Sequence, residues 1–269
     1  MRFSTLSCSI LVALIFIFAI CRAVAAQALT STEGAPAVLS SDTAAIPQST
    51  PQIIVVGFVG GFVHGDNTFH SAVQVASRIR RDYPSGVYVN TFENHRGEDA
   101  HRFILQALDS NHDGRLSGDE KHNARIVLYG HSWGGSETVT LANQLNVDGI
   151  PVLLTIQVDS ITKRGENDGV IPSNVAQAVN YYQTNGLVHG RTTIRAEDPM
   201  RTQVIGNFRF DYAGSPPVCE LGYPWWDRMF MKPHIAIECD PDVWRQVEAL
   251  IRAKLPKPLL PESTSMKQN

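Results

Sequence analysis

Short runs of consecutive apolar residues alternate along this chain with longer stretches in which apolar positions recur every three or four residues. The runs are QIIVVGF (52–58), GVYVNTF (86–92), RIVLYG (125–130) and PVLLTIQV (151–158). Each predicts a strand, and their lack of polar alternation predicts strands covered on both faces. Between them, Asn67 to Arg81 carries Val73, Ala76 and Ile79 at helical spacing, and Glu98 to Leu108 carries Phe103, Ile104, Ala107 and Leu108. Gly134 to Leu145 completes a third predicted helix. Strand–helix alternation predicts an α/β domain: a mostly parallel central sheet, right-handed crossovers and helices on both faces. Beyond Asp159 the pattern weakens. AVNYYQ (178–183) and RTTIRA (191–196) predict strands, and Asp242 to Leu255 predicts a final helix through Val243, Val247, Leu250 and Ile251.

The ends do not fit this pattern. Arg2 is followed by the apolar stretch LVALIFIFAI (11–20) and then by Ala23-Val24-Ala25, which predicts a secretory signal peptide over 1–25. Residues 26–51 are rich in Ala, Ser, Thr, Pro and Gln and predict a disordered spacer; 257–269 predict a disordered tail. That leaves one domain, 52–256, exported to a periplasm or outside the cell, with no stable membrane span after cleavage. Cleavage removes Arg2 and Arg22 and no acid, so the formal net charge of −3 falls by two. No basic excess points to nucleic acid. Of the 4 cysteines, Cys8 and Cys21 leave with the signal. Cys219 and Cys239 remain, and an oxidising compartment favours bridging them, a contribution of ~3 kcal/mol in the chain-entropy model.

The chemistry begins at Gly130-His131-Ser132-Trp133-Gly134, which matches G-x-S-x-G between a predicted buried strand and a predicted helix. Such a turn strains the serine backbone, so its flanking positions must be small. It presents the Ser132 hydroxyl at the sheet's C-terminal edge. The helix N-terminus behind it favours developing negative charge. At these residues the chain resembles the α/β-hydrolase superfamily, the lipase, esterase and thioesterase group.

The resemblance implies an oxyanion loop after an early strand. GFVGGFVHG (57–65) stands there without the usual His-Gly, and the N–H of Val59 (or Phe58) with the N–H of Trp133 would form the hole. The resemblance also implies the order serine, acid, histidine. His234, shortly before the final helix, is the candidate base, expected on a loop; His189 reads as a turn residue, and His131 as packing or as a support behind the catalytic groups. Asp159, ending PVLLTIQV, is the candidate acid, a placement similar to that in pancreatic-type lipases, with Asp198 and Asp168 as alternatives. Phe208, Phe210, Tyr212, Trp225, Trp226, Met229 and Phe230 wall an apolar acyl pocket or form a satellite core.

A second motif, DSNHDGRLSGDE (109–120), fills the pattern of an EF-hand loop. Asp109, Asn111 and Asp113 would ligate Ca2+, Gly114 would make the bend, Arg115 would offer its carbonyl, Ser117 would ligate directly or through water, and Glu120 would be bidentate. There is no second loop and little room for an exiting helix, so weak affinity, ~10⁻⁴ to 10⁻³ M, is expected. The strand RIVLYG separates this loop from Ser132 by roughly 20 Å at ~3.3 Å per residue, so the ion would be structural. The sequence thus points to a secreted serine hydrolase acting on a small or lipid-like acyl substrate. Two alternatives stay open: an inactive hydrolase-like binding protein and a calcium-responsive interaction module.

Overall fold

Six parallel strands form the central sheet, in the order 87–93, 53–59, 125–131, 152–158, 175–182 and 203–209. In chain order the elements are β1 (Ile53–Val59), α1 (Ser71–Asp82), β2 (Val87–Glu93), α2 (Gly97–Leu108), α3 (Gly118–His122), β3 (Arg125–His131) and α4 (Trp133–Val147). They continue with β4 (Val152–Val158), β5 (Val170–Ile171), β6 (Val175–Tyr182), β7 (Arg195–Ala196), β8 (Gln203–Arg209), α5 (Lys232–Cys239) and α6 (Pro241–Arg252). The computed structural model describes residues 52–214, 217 and 231–257. The expected signal peptide, spacer and tail beyond Lys257 lie outside them, as do Cys219, Trp225, Trp226, Met229 and Phe230. Among the described residues no helix is long and apolar enough to cross a membrane.

The apolar runs of β1, β3 and β4 are buried on both faces, whereas β2, expected to be covered likewise, lies at the sheet edge and is only partly buried, with Tyr88 exposed. Val55, Val127 and Tyr129 pack with α1 and α6 through Val75, Ile79, Val243 and Val247. Val56, Phe58, Ile126 and Leu128 pack on the other face with α2 and α4 through Ile104, Leu141 and Leu145. Adjacent strand residues therefore serve opposite cores, which is why no polar alternation appears in the sequence. In α6, Asp240 caps the N-terminus by accepting from the N–H groups of Asp242 (2.8 Å) and Val243 (3.4 Å), ahead of Pro241.

The structure departs from the sequence pattern in four places. Helix α1 starts at Ser71, because Asn67 accepts from the Phe69 N–H (3.1 Å) in a local turn that competes with helix. RTTIRA contributes only β7, paired to β5 in a separate ladder; Arg191 is drawn instead to Asp168 (2.6 Å) and the Ile194 N–H to the Asn207 carboxamide (2.8 Å). Strand β8 is absent from the pattern because an edge strand, half-exposed and interrupted by Gly206, has no need of an apolar run. Helix α5, with Pro233 in its first turn, replaces the loop expected before the last helix.

Strand order places β1 between β2 and β3, so the connections after β1 and β3 run toward opposite edges of the sheet. In open parallel sheets such a reversal leaves a crevice at the strands' C-terminal ends, where ligands bind. The loop after β1 and the turn after β3 flank that crevice.

Candidate active site

The turn after β3 is a single strained residue. Ser132 has φ 57° and ψ −128°, a region costly to any side chain, and it is the N-cap of α4. Its N–H donates to the Val158 carbonyl (3.0 Å), which ties the turn to β4. The chain can pass here only because its neighbours lack side chains. A Cβ on Gly130 would lie 2.3 Å from the Gly134 oxygen, and one on Gly134 would lie 2.5 Å from the Phe58 oxygen.

His234 stands in the first turn of α5 and Asp159 directly follows β4. His234 Nε2 is 2.9 Å from Ser132 Oγ, and His234 Nδ1 is 2.7 Å from Asp159 Oδ2. A carboxylate cannot donate, so Nδ1–H donates to it and Nε2 accepts from the serine hydroxyl. Ser132, His234 and Asp159 are 8%, 5% and 0% exposed. Burial pushes the Asp159 carboxyl up, but His234, through a hydrogen bond and its charge, outweighs this together with the Gln183 side chain and the Gly190 N–H. The net effect holds Asp159 below the usual carboxylate range, so it stays ionised beside the imidazole.

The two alternative acids have other partners. Asp168 is buried, accepting from Ser160 Oγ (2.5 Å), Thr162 Oγ1 (2.6 Å) and Arg191 Nε (2.6 Å). Asp198 accepts from the Met200 N–H (2.9 Å) in a turn. His189 makes a turn contact to the Gly190 carbonyl (3.1 Å). His131, buried, packs its ring on that of His234, with centroids 4.7 Å apart.

Of the expected oxyanion donors, Trp133 opens α4 immediately after the serine. Val59 is the last residue of β1, paired with Glu93, and the loop backbone lying against the serine is one residue further on. A Cβ on Gly60 would sit 2.7 Å from Ser132 Cβ and 2.9 Å from the His131 oxygen. The glycine run was the signal for this close approach, but not for which glycine makes it. Phe62, on the same loop, is almost fully exposed and meets the Trp133 ring edge-on at 5.8 Å.

The loop 109–120 has the backbone of its motif. Asp109 accepts from the N–H groups of Asp113 (3.2 Å) and Gly114 (2.9 Å), Asn111 from Asp113 (3.0 Å), and Asp113 from Arg115 (2.8 Å). Its carboxylates are otherwise employed. Glu120 Oε1 accepts from Ser110 and Glu120 Oε2 from Ser117, closing a capping box on the one-turn helix α3. The Ser117 and Ser110 donors hold the Glu120 carboxyl down to about 2. Among the described residues, no group of three or more His, Cys, Asp and Glu side chains is placed to hold a metal ion. The side chains as they stand form a self-capped turn.

No protein-family model matches the chain, and no curated protein does. Solved structures similar to it include an acetyl xylan esterase, 14% identical, covering 77% of this chain and 100% of its own, with a TM-score of 0.38. Another is a hydrolase of the alpha/beta superfamily from Xanthomonas campestris, described as putative, 12% identical over 75% of this chain and 99% of its own, TM-score 0.39. A cutinase-like protein from Cryptococcus sp. is 14% identical over 77% and 96%, TM-score 0.40.

Proposed function

We propose that this protein is an exported serine hydrolase that cleaves a carboxylic ester or thioester through an acyl-enzyme. The observation that carries the reading is the unbroken hydrogen-bonded line Ser132–His234–Asp159, with the serine on a strained turn at the sheet's crevice. In this reading Ser132 Oγ attacks the acyl carbon while His234 Nε2 takes its proton. The imidazolium is stabilised by Asp159, and it returns the proton to the departing alcohol or thiol as the carbon–oxygen or carbon–sulfur bond breaks. Water then repeats the sequence, releasing the acid and restoring the serine. The developing oxyanion would be met by the Trp133 N–H and by an N–H of the 59–61 loop; one such donor is worth roughly 3–4 kcal/mol in the transition state.

Ser132→Ala should abolish p-nitrophenyl ester turnover and labelling by a fluorophosphonate probe while leaving the melting temperature within a few degrees. Retained turnover would sink the proposal. An inactive binding protein of the same fold has less support, because it has no need for a complete serine–imidazole–carboxylate line. Calcium at 109–120 is a separate proposal, supported by the spacing of Asp109, Asn111, Asp113, Arg115, Ser117 and Glu120. Binding would require Glu120 to leave Ser110 and Ser117. Its role would be structural, since the seven residues of β3 lie between the loop and Ser132, about 20 Å at the strand rise. A bridge from Cys219 to Cys239 is likewise proposed, supported by the compartment and by Cys239 being disulfide-bonded.

A further inference from the structure

His234 faces a second set of buried titratable side chains besides Asp159. The His131 ring packs against its ring with planes inclined by 30°. His131 Nδ1 is 3.5 Å from Glu238 Oε2, and the other Glu238 oxygen is 2.5 Å from His70 Nδ1. Ser71, beside His70 at the start of α1, donates its hydroxyl to the Glu238 carbonyl (2.6 Å). Glu238 follows His234 by four residues in α5, so the two stand on one helical face, a turn apart. Among the described residues the groups converging on this point are His70 just before α1, Ser71 from α1, His131 from β3, Asp159 after β4, and His234 and Glu238 from α5. His70, His131 and Glu238 are all at least 95% buried.

Nothing in packing alone asks for an acid and two imidazoles here. Apolar side chains of similar volume would cost less to bury. What the arrangement supplies is a flat ring held against the base and a carboxylate one turn from it. Burial keeps that ring uncharged, lowering His131 to about 4 against the pull of Glu238.

We infer that His131 and Glu238 are positioning residues for His234. The His131 ring sets the plane of the imidazole, and Glu238, held by His70, adds a second negative charge toward the imidazolium that forms when Ser132 loses its proton. The inference rests on the serine–histidine reading above.

The test is the pH profile of kcat/KM for p-nitrophenyl acetate in Glu238→Gln and Glu238→Asp, with melting temperatures measured alongside. Loss of the charge disfavours the imidazolium. The acid limb of E238Q should therefore move to lower pH by about one unit, with a plateau lowered roughly tenfold. E238D, which keeps the charge, should keep the acid limb of the unaltered protein. A residue that only packs would change the melting temperature and plateau but leave the acid limb in place, and that result overturns the inference. If E238Q does not fold, His131→Gln decides. It should lower kcat about tenfold with KM unchanged, and an unchanged kcat refutes the positioning role. Turnover surviving in Ser132→Ala would instead remove the reading beneath it, so the two failures are distinguishable.

Discussion

Asp159→Asn is the sharpest test of the line through His234, because the replacement keeps shape while removing the charge and turning one acceptor into a donor. The Asp159 carboxylate faces four donors: His234 Nδ1–H (2.7 Å), Gln183 Nε2–H (2.8 Å), the Gly190 N–H (2.7 Å) and the Gln183 N–H (3.3 Å). Asparagine offers one oxygen and one NH2. With its oxygen left toward Gly190, the NH2 meets His234 Nδ1 and cannot accept from it. The imidazole must then carry its proton on Nε2, pointing at Ser132 and unable to take another. With the amide turned the other way, its NH2 opposes the Gly190 N–H in a fully buried site, costing about 1–3 kcal/mol. Either orientation weakens the line from Asp159 to Ser132. The wrong tautomer is expected to lower kcat by ~10⁴, about 5.5 kcal/mol of barrier, with KM little changed. Initial rates of p-nitrophenyl ester hydrolysis measure both constants, and circular dichroism checks the fold. The reasoning fails if D159N keeps kcat within tenfold of the unaltered protein. A stability signature accompanies the kinetic one. Because Asp159 is held below its ordinary 3.8, its stabilisation is complete above that pH and is lost as pH falls through the lower folded value. D159N should lose less stability than the unaltered protein below pH 3.8.

Three further outcomes follow from the geometry. Gly60→Ala places a methyl 2.7 Å from Ser132 Cβ against backbone that cannot yield, so kcat should fall at least ~10-fold with the melting temperature changed by only a few degrees; unaltered kcat would show the loop to be mobile enough to step aside. His131 is depressed from 6.5 to about 4, so its stabilisation is present above 6.5 and drains away as pH falls toward 4, on the order of 3 kcal/mol in all. Urea unfolding at pH 7 and pH 4.5 should show this loss in the unaltered protein and less of it in His131→Gln; parallel losses would refute the assignment. If calcium binds at 109–120, millimolar calcium should raise the melting temperature and chelation lower it, with Glu120→Gln abolishing the difference and fluorophosphonate labelling of Ser132 persisting throughout. A melting temperature indifferent to calcium would leave the loop as the self-capped turn that Glu120 makes with Ser110 and Ser117.

The sequence by itself determined the α/β architecture, because a strand buried on both faces must be apolar at every position and a crossover helix must be apolar on one side. Val55 and Val56 reveal β1 for that reason, and Leu128 and Tyr129 reveal β3. The turn at Ser132 was legible as well, since Gly130 is demanded by backbone four residues on, although Gly134 is demanded by the distant backbone of Phe58. Edge strand β8 was not legible, because half its surface faces water and any residue suits it. Nor was α5, whose eight residues bury His234 and Glu238 among partners from elsewhere and so carry no apolar periodicity. Only the tertiary structure decided which carboxylate meets His234. Asp159 and Asp168 are both buried acids in the same stretch of chain, and one faces the imidazole while the other faces Arg191. The same holds for the meeting of Ser132 with a histidine 102 residues away, and for the His131 ring beneath it. Local spacing records how a segment folds onto its own neighbours. Which strand ends face one another is set by sheet order and by packing from both sides, and no single segment contains that information.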